Sequence, residues 1–325
     1  MSKLPVSFAC GVYDRMQALY AGEVQPVGID LDFVAIDNPR EIFDRMAGAL
    51  EFDACEMSSS EFITRFSAGQ CPFVAIPVFP SRVFRHGYIT VNRRAVRTPK
   101  DLEGKRVGVP LYTMTAAIFL RGLLQHQYGV DLSTIEWVEG AINEAKPHGH
   151  PTVLPPLKPI SLTANNSGRS LGDLLGAGEI QAITGSNMPV AMKTNADIVR
   201  LFPNFRAVEK DYYRRTRIFP IMHLVVIRRE LYDEHPHVAR SLYDALEESK
   251  RLAWARVRYL GALRYMLPWL PDDLDEIDEV FGGDPWPYGI EANRPTLEAL
   301  VQYMYEQALI AAPVAIEKLF VPVQG

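Results

Sequence analysis

The stretch FPSRVFRHGY, residues 79–88, sets Arg82, Arg85 and His86 among Phe79, Phe84 and Tyr88. A guanidinium is a planar fork of donors that matches a carboxylate, and neighbouring rings can cover the faces of a flat ligand. Those residue types together suit a planar, dianionic aromatic molecule; the plainer alternative is a solvated basic hinge. A second signal lies in VGVPLYTMTAAIFLRGLL, residues 107–124. Val107–Val109 read as the end of a buried strand, and Pro110 withholds the next ladder N–H. From Thr113 the residues Ala117, Leu120, Leu124 and Tyr128 recur at helical spacing, and Gly129 is a natural stop. Thr113 or Thr115 is expected to cap that helix. Its first turn carries orphan N–H donors and a partial positive charge. Thr113, Met114 and Thr115 are therefore placed against a carboxylate, with Tyr112 against the ligand ring. An ordinary capped helix with water at its end is the alternative.

Other candidates carry weaker signals. Asp14 and Arg15 in CGVYDR either pair at the surface and cap the next helix or touch a ligand. Ser58, Ser59 and Ser60 in CEMSSS cap the helix that follows, and their hydroxyls could also meet a phenol. His223 in RIFPIMH is a second candidate for proton transfer beside His86, although a lone histidine is more often a satisfied structural residue. The HGH at 148–150 has no third ligand at fixed spacing and is a weak metal signal. PWPYG, residues 285–289, is an aromatic turn that would staple the last helix. Cys10, Cys55 and Cys71 cannot all pair, lie in no CxxC, and read as small buried residues rather than activated nucleophiles.

The elements that must position these groups alternate. Strands are expected in PVSFAC, IDLDFVAI, FDACEMS and CPFVAIPVF, with helices around Met16–Ala21, in NPREIFDRMAG behind an asparagine cap, and in SSEFITRFSAG. That order describes an open α/β unit with a parallel sheet, in which ligands collect at the carboxyl ends of strands. YITVNR then begins a second unit, with further strands in KRVGVP, IEWVEG and EIQAITGS. The proline-rich excursion at 141–160 resists regular assignment. HLVVIRREL, residues 223–231, repeats the character of YITVNRR, and both read as edge-type strands at a boundary that the chain crosses out over and back. A long helix from near His237 past Trp254 and another in RPTLEALVQYMYEQAL follow. The 325 residues, nearly half apolar, suffice for two lobes. A net charge of −5 offers no general attraction to nucleic acid or anionic membrane. No apolar run matches a membrane span, and MSKLPVSFACG has no signal-peptide core, so a cytoplasmic location is expected.

TPKDLEGKRVGVP before a threonine-rich helix start resembles the second lobe of type 2 periplasmic binding proteins. More narrowly, GKRVGVPLYTMTAAIFLRGLL, RIFPIMHLVVIRREL and DPWPYGIEANRPTLEAL resemble the 4,5-dihydroxyphthalate decarboxylase family, from about Phe8 to about Phe320. The resemblance implies a two-lobed periplasmic-binding-protein-like fold, each lobe a mixed, mostly parallel sheet flanked by helices, with a hinge of two crossover segments. Residues 1–87 plus 225–325 would form lobe I and 88–224 lobe II, with the substrate cleft between them. It further implies a cytoplasmic carboxy-lyase that acts on a small aromatic dicarboxylate and needs no organic cofactor. A divalent metal and a homo-oligomer both stay open. Under that reading Arg82 and Arg85 take carboxylates, the 113–115 helix start takes the other anion, and His86 or His223 moves the proton. Glu56 is a candidate phenol base, and Phe219, Trp286 and Tyr288 wall the pocket. A non-catalytic receptor for an aromatic acid, or another cytoplasmic lyase on the same fold, are the alternatives; a receptor would need export or an anchor.

Overall fold

The computed structural model describes residues 3–147 and 153–323, and the chain divides into two compact units. The first unit opens with β1 (Leu4–Cys10), β2 (Ile29–Ala35), β3 (Ala54–Ser58) and β4 (Phe73–Arg82). Between β2 and β3 lies α1 (Pro39–Ala49), whose Asn38 cap accepts from the Arg40 N–H and whose first residue is proline, as expected. Helix α2 (Ser59–Ser67) follows β3 without a loop. The second unit contains β5 (Ile89–Asn92), β6 (Arg106–Val109), α3 (Thr115–Tyr128), β7 (Glu136–Glu139), β8 (Leu162–Ala164), β9 (Ala182–Thr184), β10 (Ile198–Arg200) and α4 (Phe205–Thr216). The chain then runs through β11 (Ile221–Arg228), α5 (His237–Val257), α6 (Leu270–Phe281) and α7 (Arg294–Glu306).

The first sheet has the order β2-β1-β3-β11-β4 and the second β10-β5-β9-β6-β7-β8. Both are mixed. β1 is parallel to β2 and β3, whereas β11 is antiparallel to β3 and β4. In the second sheet β6, β7, β8 and β9 run parallel, and β5 pairs antiparallel with β9 and β10. This corrects the edge-type reading of the two similar strands, since β5 and β11 both lie inside their sheets. The physical signal was present: Leu224–Ile227 is a continuous apolar run and fully buried, which is how a strand covered on both faces reads. Pro77 and Pro80 lie within β4 and cannot donate to the ladder. Opposite them the β11–β4 register shifts on both sides of His223.

The first unit comprises residues up to Arg82, Ile221–Arg294 and those from Val314 on; the second comprises Val83–Pro220 and Pro295–Pro313. Pro295–Pro313 thus leaves lobe I, in which the family resemblance places all of 225–325. The reason is packing around α3. A Cβ on Gly122 would stand 2.2 Å from the Tyr303 ring, so only glycine lets α7 approach so closely. Arg121, fully buried, donates from Nε to Gln307 Oε1 at 2.7 Å and from Nη2 to the Tyr112 carbonyl at 2.8 Å. In the 141–160 excursion, Leu157 N–H donates to the Ala308 carbonyl at 2.7 Å, and β8 begins just beyond it. The HGH histidines fall outside the described residues. No helix among the described residues is long and apolar enough to cross a membrane.

Candidate functional site

In the first sheet, strand register brings acid–base groups together. Ala9 pairs with Cys55 in parallel register, which puts Cys10 beside Glu56 at the carboxyl ends of β1 and β3. His223 pairs with Ser58 and Val225 with Glu56, so His223 and Glu56 lie diagonally on one face, within reach of two long side chains. His223 Nδ1 meets Glu56 Oε1 at 2.5 Å. Tyr13, in the loop after β1, donates its hydroxyl to both Glu56 oxygens at 3.0 Å, and Cys10 Sγ donates at 3.4 Å. Burial alone would push the Glu56 carboxyl up. The His223 ring and the Tyr13 and Cys10 donors outweigh it and hold the carboxyl below its usual range. Burial and the Glu56 charge push the Tyr13 hydroxyl and the Cys10 thiol well up, so both stay protonated. Glu56 has no exposed side-chain surface, whereas 19% of the His223 side chain is exposed, so His223 is the member a ligand can touch. Its ring is steadied edge-on by Phe43, centroids 4.9 Å apart.

Around this group sit the first unit's other candidates. Asp14 and Arg15 form an ion pair at 2.9 Å, but neither caps the helix that follows, where Tyr13 and Met16 hold the cap positions without a side-chain bond. Arg15 also donates to the Pro80 carbonyl at 2.6 Å and lies over the rings of Tyr13 and Trp286. Arg82 is buried and donates from Nη2 to the Pro287 carbonyl and to Asn293 Oδ1, which turns its fork towards the PWPYG turn. Trp286 donates to the Phe79 carbonyl at 2.8 Å. Tyr288 is buried under Lys250, and its hydroxyl has no hydrogen-bond partner among the described residues. Ser58 and Ser60 share a hydrogen bond at 3.2 Å, and Ser59 is buried.

The second unit holds the remaining candidates. Arg85 is buried, its guanidinium lies over the Tyr88 ring, and its Nε has no partner among the described residues. Burial lowers it to about 10, still cationic at neutral pH. His86 is equally buried, wedged edge-on against Phe202 and Tyr212. Burial and Arg215 push it down to about 4. The helix start departs from expectation in one detail. Met114 occupies the N-cap of α3, and neither Thr113 nor Thr115 does. The turn closed by Met114 N–H on the Leu111 carbonyl, with Tyr112 N–H held by Glu139 at 2.7 Å, delays the helix by that much. The Tyr112 ring is core: Arg121 stands 3.7 Å above it, Trp137 packs edge-on, and with Trp137 and Gln307 it lines a cavity of about 600 Å³. Phe219 stacks on Phe84 at 4.4 Å and donates its N–H to Thr296.

Sequence reasoning missed Tyr13 and Glu209. Tyr13 stood one residue before the pair singled out in CGVYDR, where an aromatic hydroxyl beside charged residues was the available signal. Glu209, whose Oε1 accepts from the Gly87 N–H at 3.1 Å, lies too far along the chain for any spacing rule. Among the described residues no group of three or more histidine, cysteine or acidic side chains is arranged to hold a metal ion.

No family model matches the chain. It is 35% identical over 324 residues to a 4,5-dihydroxyphthalate decarboxylase of Comamonas testosteroni, covering 99% of this chain and 98% of that protein. It is 34% identical over 218 residues to a 4,5-dihydroxyphthalate decarboxylase of Pseudomonas putida, covering 66% and 83%. Among solved structures, the periplasmic aliphatic sulphonate binding protein SsuA of Escherichia coli matches with a TM-score of 0.54 at 11% identity, over 99% of this chain and 92% of that one. Protein AF1704 of Archaeoglobus fulgidus matches at 0.52 and 15% identity, over 94% and 98%. At such identities the structures speak for the fold alone, a periplasmic-binding-protein-like α/β fold with mixed sheets.

Proposed function

We propose that this chain, which belongs to the 4,5-dihydroxyphthalate decarboxylase family, converts 4,5-dihydroxyphthalate to 3,4-dihydroxybenzoate and carbon dioxide. Its family makes it a carboxy-lyase. The observation that carries the mechanism is the Glu56–His223 pair, a buried carboxylate 2.5 Å from a partly exposed imidazole.

Each carboxyl group of the diacid is para to a hydroxyl. When a base takes that hydroxyl proton, an electron pair moves into the ring and the carbon bearing the carboxylate accepts a solvent-derived proton. The bond to the carboxyl carbon then breaks, carbon dioxide leaves, and the ring regains aromaticity. The phenol is its own electron sink, so this route needs no organic cofactor. His223 takes the hydroxyl proton, and Glu56 holds its Nδ1–H and stabilises the imidazolium that forms. Glu56, with no exposed surface and both oxygens engaged, acts through His223 rather than as the phenol base itself. In the second unit Arg85 takes a substrate carboxylate, because it is a buried cation whose Nε has no partner among the described residues. Arg82 is left to secure the PWPYG turn.

Turnover of 4,5-dihydroxyphthalate in heavy water, followed by proton NMR, tests the reading. It should yield 3,4-dihydroxybenzoate carrying one deuterium at C6, the carbon that lost its carboxylate. Tight binding of the diacid with no carbon dioxide released would favour a receptor instead.

A further inference from the structure

The turn that carries Arg85 is clamped by α4. Glu209 Oε1 accepts from the Gly87 N–H at 3.1 Å, the His86 N–H also bonds this carboxylate, and His86 Nδ1 lies 3.8 Å away. Arg200 of β10 donates from Nε to the Gly87 carbonyl at 3.0 Å, and the Phe205 ring fills the place a Gly87 Cβ would take. Arg85 itself is only 7% exposed, its Nε has no acceptor among the described residues, and Glu209 is the carboxylate whose charge acts on it. A buried guanidinium short of an acceptor is costly until an anion arrives. Glu209 is thus both the holder of the Arg85 turn and a resident rival for its charge.

We propose that Glu209 is a positioning residue for the decarboxylation: it fixes the His86–Gly87 turn behind Arg85 and, through its own charge, sets how strongly Arg85 takes a substrate carboxylate. The inference rests on the reading of Arg85 as a carboxylate ligand. The charged and titratable groups facing Glu209 are Arg85 and His86 on the turn and Arg200 on β10, while Arg215 of α4 acts on His86. Burial outweighs the two N–H donors and the Arg85 and Arg200 charges and pushes Glu209 up to about 7. His86, lowered to about 4, stays neutral through that range. Below neutrality the carboxyl is uncharged and Arg85 is fully available. Above it the ionised carboxylate competes, so substrate affinity should fall as pH rises through about 7.

Steady-state kinetics from pH 6 to 8.5 on wild type, Glu209→Gln and Arg85→Met separate the possibilities. Wild-type KM should rise with pH while kcat does not follow it. Glu209→Gln keeps an oxygen for the Gly87 N–H but cannot ionise. Its KM should be flat and, at pH 8, about fivefold below wild type, as one pKa unit of coupling to a group near 7 requires. Arg85→Met should raise KM at least tenfold throughout. If Arg85→Met leaves KM unchanged, Arg85 does not bind substrate and the underlying reading falls. If it raises KM while Glu209→Gln keeps the wild-type pH profile, the Glu209 proposal alone is overturned. Wild-type protein gives an independent check should Glu209→Gln fold poorly. Calorimetric binding of the unreactive product 3,4-dihydroxybenzoate near pH 7, in buffers of different ionisation enthalpy, should reveal proton uptake. No uptake would contradict the proposal.

Discussion

In the first unit Glu56 and His223 stand 2.5 Å apart, and Tyr13 and Cys10 add donors to the same carboxylate. In the second unit Glu209 and His86 stand 3.8 Å apart, and backbone N–H groups from the turn complete the carboxylate's bonds. Both carboxylates are buried, yet Glu56 is held below its usual range while Glu209 rises to about 7. Burial penalises each charged form, and a short hydrogen bond to the His223 ring with further side-chain donors overcomes that penalty where a looser contact does not. The same residue types therefore make a short-bonded pair with a partly exposed imidazole in one unit and a packed brace for a backbone turn in the other.

The sharpest way to break this contrast is at Glu56. Glu56→Gln should lower kcat by about 10²–10⁴-fold, because the carboxamide cannot stabilise an imidazolium. Its stability should fall most near neutrality, with the gap to wild type closing as pH drops through the Glu56 folded pKa, below 4.5, as urea midpoints would show. His223→Ala should lose turnover on a similar scale and retain substrate affinity. His86→Ala should instead keep kcat within a few-fold and lose about 2–4 kcal/mol of stability, since it empties a site packed by Phe202 and Tyr212. Equal loss of turnover in both histidine variants would end the division of roles.

Titration of stability reaches the second unit more finely. His86, lowered to about 4 from 6.5, stays neutral in the fold while the unfolded chain takes up its proton, so stability drops as pH falls through that interval. Glu209, raised to about 7 from 4.5, keeps its proton longer in the fold. Its contribution is full below 4.5 and is lost as pH rises through about 7. Between 4.5 and 6.5 the slopes oppose, each worth on the order of 3 kcal/mol across its range. Glu209→Gln should therefore lose stability more steeply on acidification than wild type, measured as urea midpoints from pH 7 to 4. Gly87→Ala, forced against the Phe205 ring, should cost about 1–3 kcal/mol and raise KM while sparing kcat. Tyr13→Phe is the mildest change. It removes one donor from Glu56 and should move the acid limb of kcat/KM upward by less than about one pH unit.

Much of the fold was legible from local pattern. The Asn38 cap, the stop at Gly129 and the alternation of β1 to β4 with their helices rest on backbone rules that short segments obey by themselves. The family was legible too, through motifs spread along the chain. Glu56 and His223 were both named as candidates from sequence, but nothing in CEMSSS or RIFPIMH says that they meet. They are 167 residues apart and join only because β11 runs antiparallel between β3 and β4. Likewise Arg82 and Arg85 looked equivalent in FPSRVFRHG. Arg82 turned out to hold Asn293 and the Pro287 carbonyl, while Arg85 passed into the other unit, its guanidinium over the Tyr88 ring. Residue type, cap and period are properties of a few neighbouring residues, so sequence determines them. A pKa, an open guanidinium or a carboxylate's partner depends on burial and on groups that strand order brings from far along the chain, and those only the tertiary structure decided.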